Sequence, residues 1–267
     1  KGEGLGNQFL GNIRETDAII HVLRCFDNDN IVHVDGNINP IRDKETIDIE
    51  LQLKDLESLD KKLEKVRKTA RTGNKDAQKE QEVLEKLKKG LEAAVSVRAI
   101  ELSEKEREEY VTPLQFITDK PVLYVCNVDE KSAVNGNDYV AKVKEAVKDE
   151  NAEVIVLAVG TEADITELDS FEERQLFLED LGLQEAGSSV LIRAAYKLLN
   201  LQTYFTAGIK EVRAWTINIG DTAPQAAGVI HSDFEKGFIR AEVIAYDDYV
   251  KFGSEAKVKE AGKMKVE

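Results

Sequence analysis

Between residues 44 and 109 the apolar positions recur at heptad spacing, as Ile49, Leu56, Leu63 and Ala70, with Leu59 and Val66 between them. An a/d repeat of this kind commits a segment to helix, and it leaves an apolar seam that only another helix can cover. Arg71-Thr72-Gly73-Asn74-Lys75 interrupts the repeat with turn-forming residues. The pattern resumes at Leu84, Leu87, Leu91 and Ala94. Two helices joined by so short a turn pack antiparallel, so the spacing predicts a coiled-coil hairpin. Each arm of ~25 residues would project roughly 35–40 Å.

The flanks have a different texture. Before the hairpin, Leu5, Phe9, Ile13 and Thr16 share a helical face, and DAIIHVLRCF (17–26) is a β-branched run suited to a buried strand. After it, PVLYVC (121–126) and VIVLAV (154–159) are buried strands, alternating with helices at 139–148, 171–181 and 188–199, the last capped by Ser188 or Ser189. Because α/β alternation stands on both sides, the hairpin reads as an insertion into one α/β domain. From about residue 201, VRAWTINIG (212–220) and IRAEVIAY (239–246) are strands around a short helix, a small β-rich module. The expected division is therefore 1–43 and 111–200 for the α/β domain, 44–110 for the hairpin, and 201–267 for the last module.

Charge is unevenly spread. Residues 61–89 hold eleven basic side chains against five acidic ones, within a chain of net charge −14. A solvated coiled-coil surface accounts for such a run. So does a basic finger that meets phosphate backbone, with Lys65, Arg67, Lys68 and Arg71 at its centre. No run reaches the ~18–20 apolar residues of a membrane span. Cys25 and Cys126, both in strand-like runs, suit a reducing, cytoplasmic compartment rather than a disulfide framework. Both ends read as cut: residue 1 is Lys, inside a glycine-rich segment, and the last residues stop in a charged stretch.

Asn127-Val128-Asp129-Glu130 follows the strand ending at Cys126. Ligands of open α/β sheets bind at the carboxyl ends of strands, and P-loop GTPases place Asn-Lys-x-Asp there to read guanine. Here Val128 replaces Lys and Glu130 replaces Asp. The extra methylene of Glu130 spoils a bidentate contact with guanine. Backbone groups can instead pair with the adjacent donor and acceptor of adenine, so the N–H and C=O of Val128 are candidates, with its side chain on the ring. Gly160, after the next strand, offers a second loop of N–H groups facing the base. A plain turn with Asn127 closing an Asx turn is the competing reading. Lys1 to Asn7 carries three glycines, a weak phosphate-binding signal beside a flexible turn. No GxxxxGK[ST], H-E-x-x-H, C-x-x-C or G-x-S-x-G sequence occurs, and His21, His33 and His231 are read as structural.

These residues together resemble the Obg-like, YchF-type family of ribosome-binding ATPases, in the P-loop GTPase class. The resemblance covers essentially the whole chain. GEGLGNQFL (2–10) is similar to the segment after the second switch loop, and RETDAIIHVLRCF (14–26) to the helix end and strand that follow. NVDE (127–130) is similar to the family's altered base motif. LNLQTYFTAG (199–208), EVRAWTI (211–217) and APQAAGVIHSDFEKGFIRAEVI (223–244) resemble its C-terminal TGS domain, the last two with high specificity.

The resemblance implies a P-loop NTPase core, the inserted hairpin and a β-grasp TGS domain. It implies ATP preferred over GTP, dependence on Mg²⁺, slow hydrolysis, and binding to the ribosome (large subunit and 70S) and ribosomal RNA by a monomer with no membrane contact. It places the P-loop, the first switch, the metal motif and the catalytic residues before Lys1, and the closing strands of the TGS domain after Glu267. By that reading these 267 residues are inactive alone, and of the nucleotide contacts only Asn127, Val128, Glu130 and Gly160 carry over. A non-catalytic adaptor for ribosome or protein partners, and a GTPase with an unusual base motif, are the alternatives.

Overall fold

The computed structural model describes residues 3–208 and 210–267 and forms two compact units that divide between Leu199 and Asn200. Lys1 and Gly2, the first part of the glycine-rich segment, lie outside the described residues.

In the first unit, helix α1 (Glu3–Arg14) leads into strand β1 (Ile19–Arg24). Leu10 of α1 is buried while Phe9 is 65% exposed, so Phe9 does not lie on the packed face that the spacing suggests. Strands β2 (Val122–Asn127) and β3 (Glu153–Leu157) complete a parallel three-stranded sheet in the order β1-β2-β3. Every residue of β2 from Val122 to Cys126 is buried, as a central strand covered on both faces must be. Helix α5 (Asp138–Ala146) covers one face through Val140 and Val143 against Tyr124 and Cys126. Helix α8 (Gly187–Leu198) covers the other, with Ala194 against Leu123, Val125, Ile155 and Leu157.

Between β1 and β2 the chain makes two long helices, α2 (Pro40–Ala70) and α3 (Lys75–Glu92). Each begins at an asparagine whose side chain accepts a backbone N–H, Asn39 from Arg42 and Asn74 from Ala77. Gly73, at φ +85°, supplies the left-handed residue of the turn. Ion pairs Asp60–Lys88, Lys62–Glu80 and Arg67–Glu85 show the antiparallel sense. Leu59, Leu63, Val66 and Ala70 close on Ala77, Leu84, Leu87 and Leu91.

The arms are unequal, 31 and 18 residues, so a symmetric pair of ~25 is not what forms. Toward the root the heptad register is also lost. Ile49 is 51% exposed, and polar Gln52 and Asp55 take the buried positions instead. The reason is the returning chain. It leaves α3 at Glu92, so Ala94 is not helical (φ +57°), and Gln52 donates to the Ala94 carbonyl at 3.1 Å. The return passes through α4 (Glu104–Glu106), a single turn capped by Ser103, before reaching β2.

Past β3 lie α6 (Val159–Glu167) and α7 (Phe171–Asp180). The run Val154–Val159 is thus strand only as far as Leu157, because Val159 and Gly160 open a helix.

In the second unit, β4 (Leu201–Ala207) and β5 (Val212–Asn218) form an antiparallel ribbon. Trp215 Nε1 donates to Thr206 Oγ1 at 2.9 Å. Tyr204 reaches the Ala226 carbonyl of α9 (Ala223–Ile230) at 2.9 Å, and α10 (Ser232–Lys236) follows. The strand expected over 239–246 shrinks to β6 (Glu242–Ile244). It pairs with β7 (Met264–Val266) across α11 (Tyr246–Phe252) and α12 (Glu255–Glu260). Among the described residues the module is two separate two-stranded ribbons rather than one sheet. Among them, too, no helix is long and apolar enough to cross a membrane.

Candidate functional site

The three parallel strands end in register, with Arg24 beside Asn127 and Asn127 beside Leu157. Pairing continues one step beyond. The Cys25 N–H donates to the Asn127 carbonyl at 2.7 Å, and the Val128 N–H to the Leu157 carbonyl at 2.8 Å. This carboxyl edge is where an open α/β sheet binds its ligand.

Asn127 is the organising side chain. Its Oδ1 accepts the Val159 N–H at 3.1 Å, bracing the end of β2 against the start of α6. An Asx turn within its own loop is therefore not its role. Asp129 does that local work, accepting the Ser132 N–H at 3.2 Å over the short turn Glu130–Ser132. Glu130 is exposed on that turn.

Val128 departs from the expectation. Its N–H is already used by Leu157, and its side chain is 3% exposed among Cys25, Cys126, Val140 and Val143. Neither the N–H nor the side chain can serve a base; its carbonyl takes no hydrogen bond from the described residues and remains as an acceptor. Gly160 also differs, lying in the first turn of α6 rather than in a loop. No atom stands within 4 Å of where its Cβ would be, so sterics there do not demand glycine. The N–H groups of a first helical turn have no intrahelical partner, so the edge still offers donors.

Three contributors escape a sequence reading. Asn137 caps α5 through Oδ1 and donates from Nδ2 to the Cys25 carbonyl at 2.7 Å, tying the segment between β2 and α5 to the end of β1. Arg24 lies 4.8 Å over the Phe26 ring and donates to the carbonyls of Phe26, Asn28 and Ile31, which orders the loop after β1. Glu162 accepts the N–H groups of Gly187 and Ser188 at 2.6 and 2.9 Å. The expected caps Ser188 and Ser189 both lie inside α8. Asn137, directly before α5, carries the local signal of a helix cap; Arg24 acts through the backbone of the loop that follows it, and Glu162 through backbone 25 and 26 residues away.

His33, Asp35 and Asp43 bring ligand-type atoms within 4.8 Å of one another. Their valences are already taken. His33 Nδ1 accepts the Asp35 N–H at 3.2 Å and Nε2 faces Asp43 at 3.0 Å, while Arg42 pairs with both carboxylates at 3.2 and 3.1 Å. A guanidinium already supplies the positive charge there, so this group does not fit a Mg²⁺ ion, which favours an open octahedron of oxygens. Cys25 and Cys126 are both fully buried. The hydrogen bond between them and burial push the Cys25 thiol above its ordinary range, which leaves it unreactive.

On the hairpin, Lys65, Arg67, Lys68 and Arg71 are all exposed. Two are internally neutralised, Arg67 by Glu85 at 3.1 Å and Lys68 by Glu64 at 3.4 Å. Lys65 and Arg71 make no ion pair with a described residue, nor do Lys75 and Lys79 nearby. The uncompensated charge therefore gathers toward the turn.

Residues 201–267 match the family profile of the YchF GTPase C-terminal domain, described as a protein of unknown function (DUF933). Over its full length the chain is 54% identical to the ribosome-binding ATPase YchF of Pasteurella multocida (strain Pm70), of which it covers 73%. It is 52% identical to the ribosome-binding ATPase YchF of Bacillus subtilis (strain 168), again covering 73% of that protein. The structure of the Schizosaccharomyces pombe YchF GTPase superposes with a TM-score of 0.84 at 37% identity, over 98% of this chain and 71% of that one.

Proposed function

Since this chain belongs to the YchF family, we propose that it forms the greater part of a ribosome-binding ATPase that takes ATP in preference to GTP. The carboxyl edge carries this reading, through the Asn127–Val159 brace beside a Val128 carbonyl that accepts no hydrogen bond from the described residues. Adenine presents an amino donor next to a ring acceptor. The Val128 carbonyl suits the first, and an N–H of the Val159–Gly160 turn suits the second. Guanine presents a carbonyl where adenine has its amino group, so the Val128 oxygen would face another oxygen. Glu130, longer than the Asp of a GTPase and exposed, is not held for a bidentate contact.

The residues present fit the base and not the rest of the nucleotide. No GxxxxGK[ST] stands in the 267 residues, and the His33–Asp35–Asp43 group is already satisfied. In the family reading Mg²⁺ and a P-loop supply the electrostatic stabilisation of phosphoryl transfer. No residue of this chain is assigned to that step, and the chain by itself is expected to hydrolyse nothing. What its own residues do is hold the base and orient the loops around it.

The hairpin supplies the partner surface in this proposal. Lys65 and Arg71, with Lys75 and Lys79, meet the phosphates of ribosomal RNA on the large subunit or the 70S particle, and the protein acts as a cytoplasmic monomer. The fission-yeast neighbour is a GTPase by name, which keeps GTP as the competing nucleotide.

Competition between ATP and GTP for the full-length protein, with Asn127→Ala as the control, tests the reading. Tighter ATP binding that the substitution abolishes is expected. Equal affinities would favour a GTPase-like site, and no binding would favour the non-catalytic adaptor.

A further inference from the structure

The N-terminus of α8 has no cap of its own: Ala186 stands at the capping position and makes no side-chain hydrogen bond. Glu162 reaches it from α6, accepting the Gly187 and Ser188 N–H groups. The same helix begins at Val159, whose N–H Asn127 holds. A carboxylate taking two N–H bonds at a helix N-terminus makes charge-assisted bonds, roughly twice as strong as neutral ones.

The approach of the two helices is close. A Cβ on Gly187 would stand 2.4 Å from Leu157 Cδ2 and 2.9 Å from Glu162 Oε1. Leu157 in turn gives its carbonyl to Val128. Beside this corner is a cavity of ≈ 230 Å³ lined in part by Ala133, Ala158, Thr161, Glu162 and Val190. Packing atoms are missing on that side of α6, so van der Waals contact alone does not set where the helix starts. The Asn127 bond to the Val159 N–H and the Glu162 bonds to α8 add the directional constraints there.

We propose that Glu162 is the positioning residue of the base site, fixing the Val159–Gly160 amide edge against Asn127 and thereby setting the preference for adenine over guanine. This rests on the base-site reading above. Glu162 touches no nucleotide; it acts by anchoring α6 to α8.

The test uses the full-length protein, reading ATP and GTP affinities by competition with a fluorescent ATP analogue, together with amide exchange at Gly187 and Ser188. Glu162→Ala is expected to weaken ATP about ten-fold and GTP by less than about two-fold, so the ratio collapses. Glu162→Gln, which keeps one acceptor oxygen and guards against a variant that does not fold, should give an intermediate ratio. Faster exchange at Gly187 and Ser188 with an unchanged ratio in either variant would mean a merely structural role and overturn the proposal. If Asn127→Ala also leaves the affinities untouched, the base-site reading falls and this inference falls with it. A response to Asn127→Ala without one to Glu162 sinks only the latter.

Discussion

Asp55 and Thr118 stand 63 positions apart and share two hydrogen bonds, the Thr118 N–H and hydroxyl reaching the Asp55 carboxylate at 2.7 and 2.8 Å. The Ile117 N–H adds a third at 2.9 Å, and Arg14 of α1 lies at 3.4 Å. Asp55 is fully buried, so α1, the hairpin and the segment entering β2 converge on one carboxylate. Asp55→Ala would leave two backbone N–H groups and the Thr118 hydroxyl without their acceptor, while Arg14 would keep Ser58 and the Lys54 carbonyl. A loss of about 3–5 kcal/mol is expected in urea unfolding. An unfolding midpoint equal to wild type would show that water replaces the carboxylate without penalty.

Lys44 and Glu150 should give the stability of the first unit a definite pH window. Lys44 pairs with Asp48 at 2.7 Å and with Glu150 at 2.6 Å, and Tyr124 donates to Glu150 at 2.6 Å. Burial alone would raise the Glu150 carboxyl, but Lys44 and Tyr124 bring it below its ordinary 4.5. Burial would lower the Lys44 ammonium, but Asp48 and Glu150 hold it above its ordinary 10.5. The Glu150 contribution is therefore present above pH 4.5 and lost as pH falls through the lower folded value. The Lys44 contribution is present below pH 10.5 and lost as pH rises through the higher one. A plateau between those limits is expected in urea titrations, with Glu150→Gln flattening the acid limb. An acid limb of the same slope in that variant would assign it to other carboxylates.

Gly187→Ala should be costly although Ala is the better helix former. The new methyl would meet Leu157 at 2.4 Å, in the wall of the sheet. Overpacking of this sort costs about 1–3 kcal/mol, read as a lower melting temperature. A rise in melting temperature would mean that α8 can move away from β3.

Charge reversal on the hairpin separates free from paired cations. Lys65→Glu with Arg71→Glu should reduce co-sedimentation with ribosomes and shallow its dependence on salt, because counterion release scales with the phosphates neutralised. Arg67→Glu alone should act less on binding, since Glu85 already neutralises that guanidinium. Equal pelleting of all variants at low salt would remove RNA contact from the hairpin.

How much of this is visible in the sequence follows from the range of the forces involved. The β-branched runs around Ile19–Arg24, Val122–Asn127 and Glu153–Leu157 announce strands, but only Val122–Cys126 is buried on both faces. Ile20 and Val22 of β1, expected to be buried, are 44% and 56% exposed, because among the described residues β1 is flanked by β2 alone. The heptads from Leu59 to Leu91 are legible because burial leaves its mark on each residue of the seam. Legibility stops where a distant segment decides. Ile49 keeps the heptad spacing yet is exposed, because the chain returning from α3 crosses at Gln52 and Asp55. Ser188 looks like a helix cap, but the cap is Glu162, 26 residues away. Val128 looks free to read a base, but the Leu157 carbonyl already holds its N–H. Helices α11 and α12 are seven and six residues long, too short for a helical period to show.

Helix α2 runs without a break for 31 residues from Pro40, beside the sheet, to the turn. At 1.5 Å per residue it is a rod of about 46 Å, and a rod transmits angle as displacement. A tilt of about 5° at its base would sweep the basic tip through about 4 Å, comparable to the width of a phosphate group. Small rearrangements around Lys44 and Glu150, near the base of the helix, would thus be magnified at the far end, where the chain has its most concentrated positive charge.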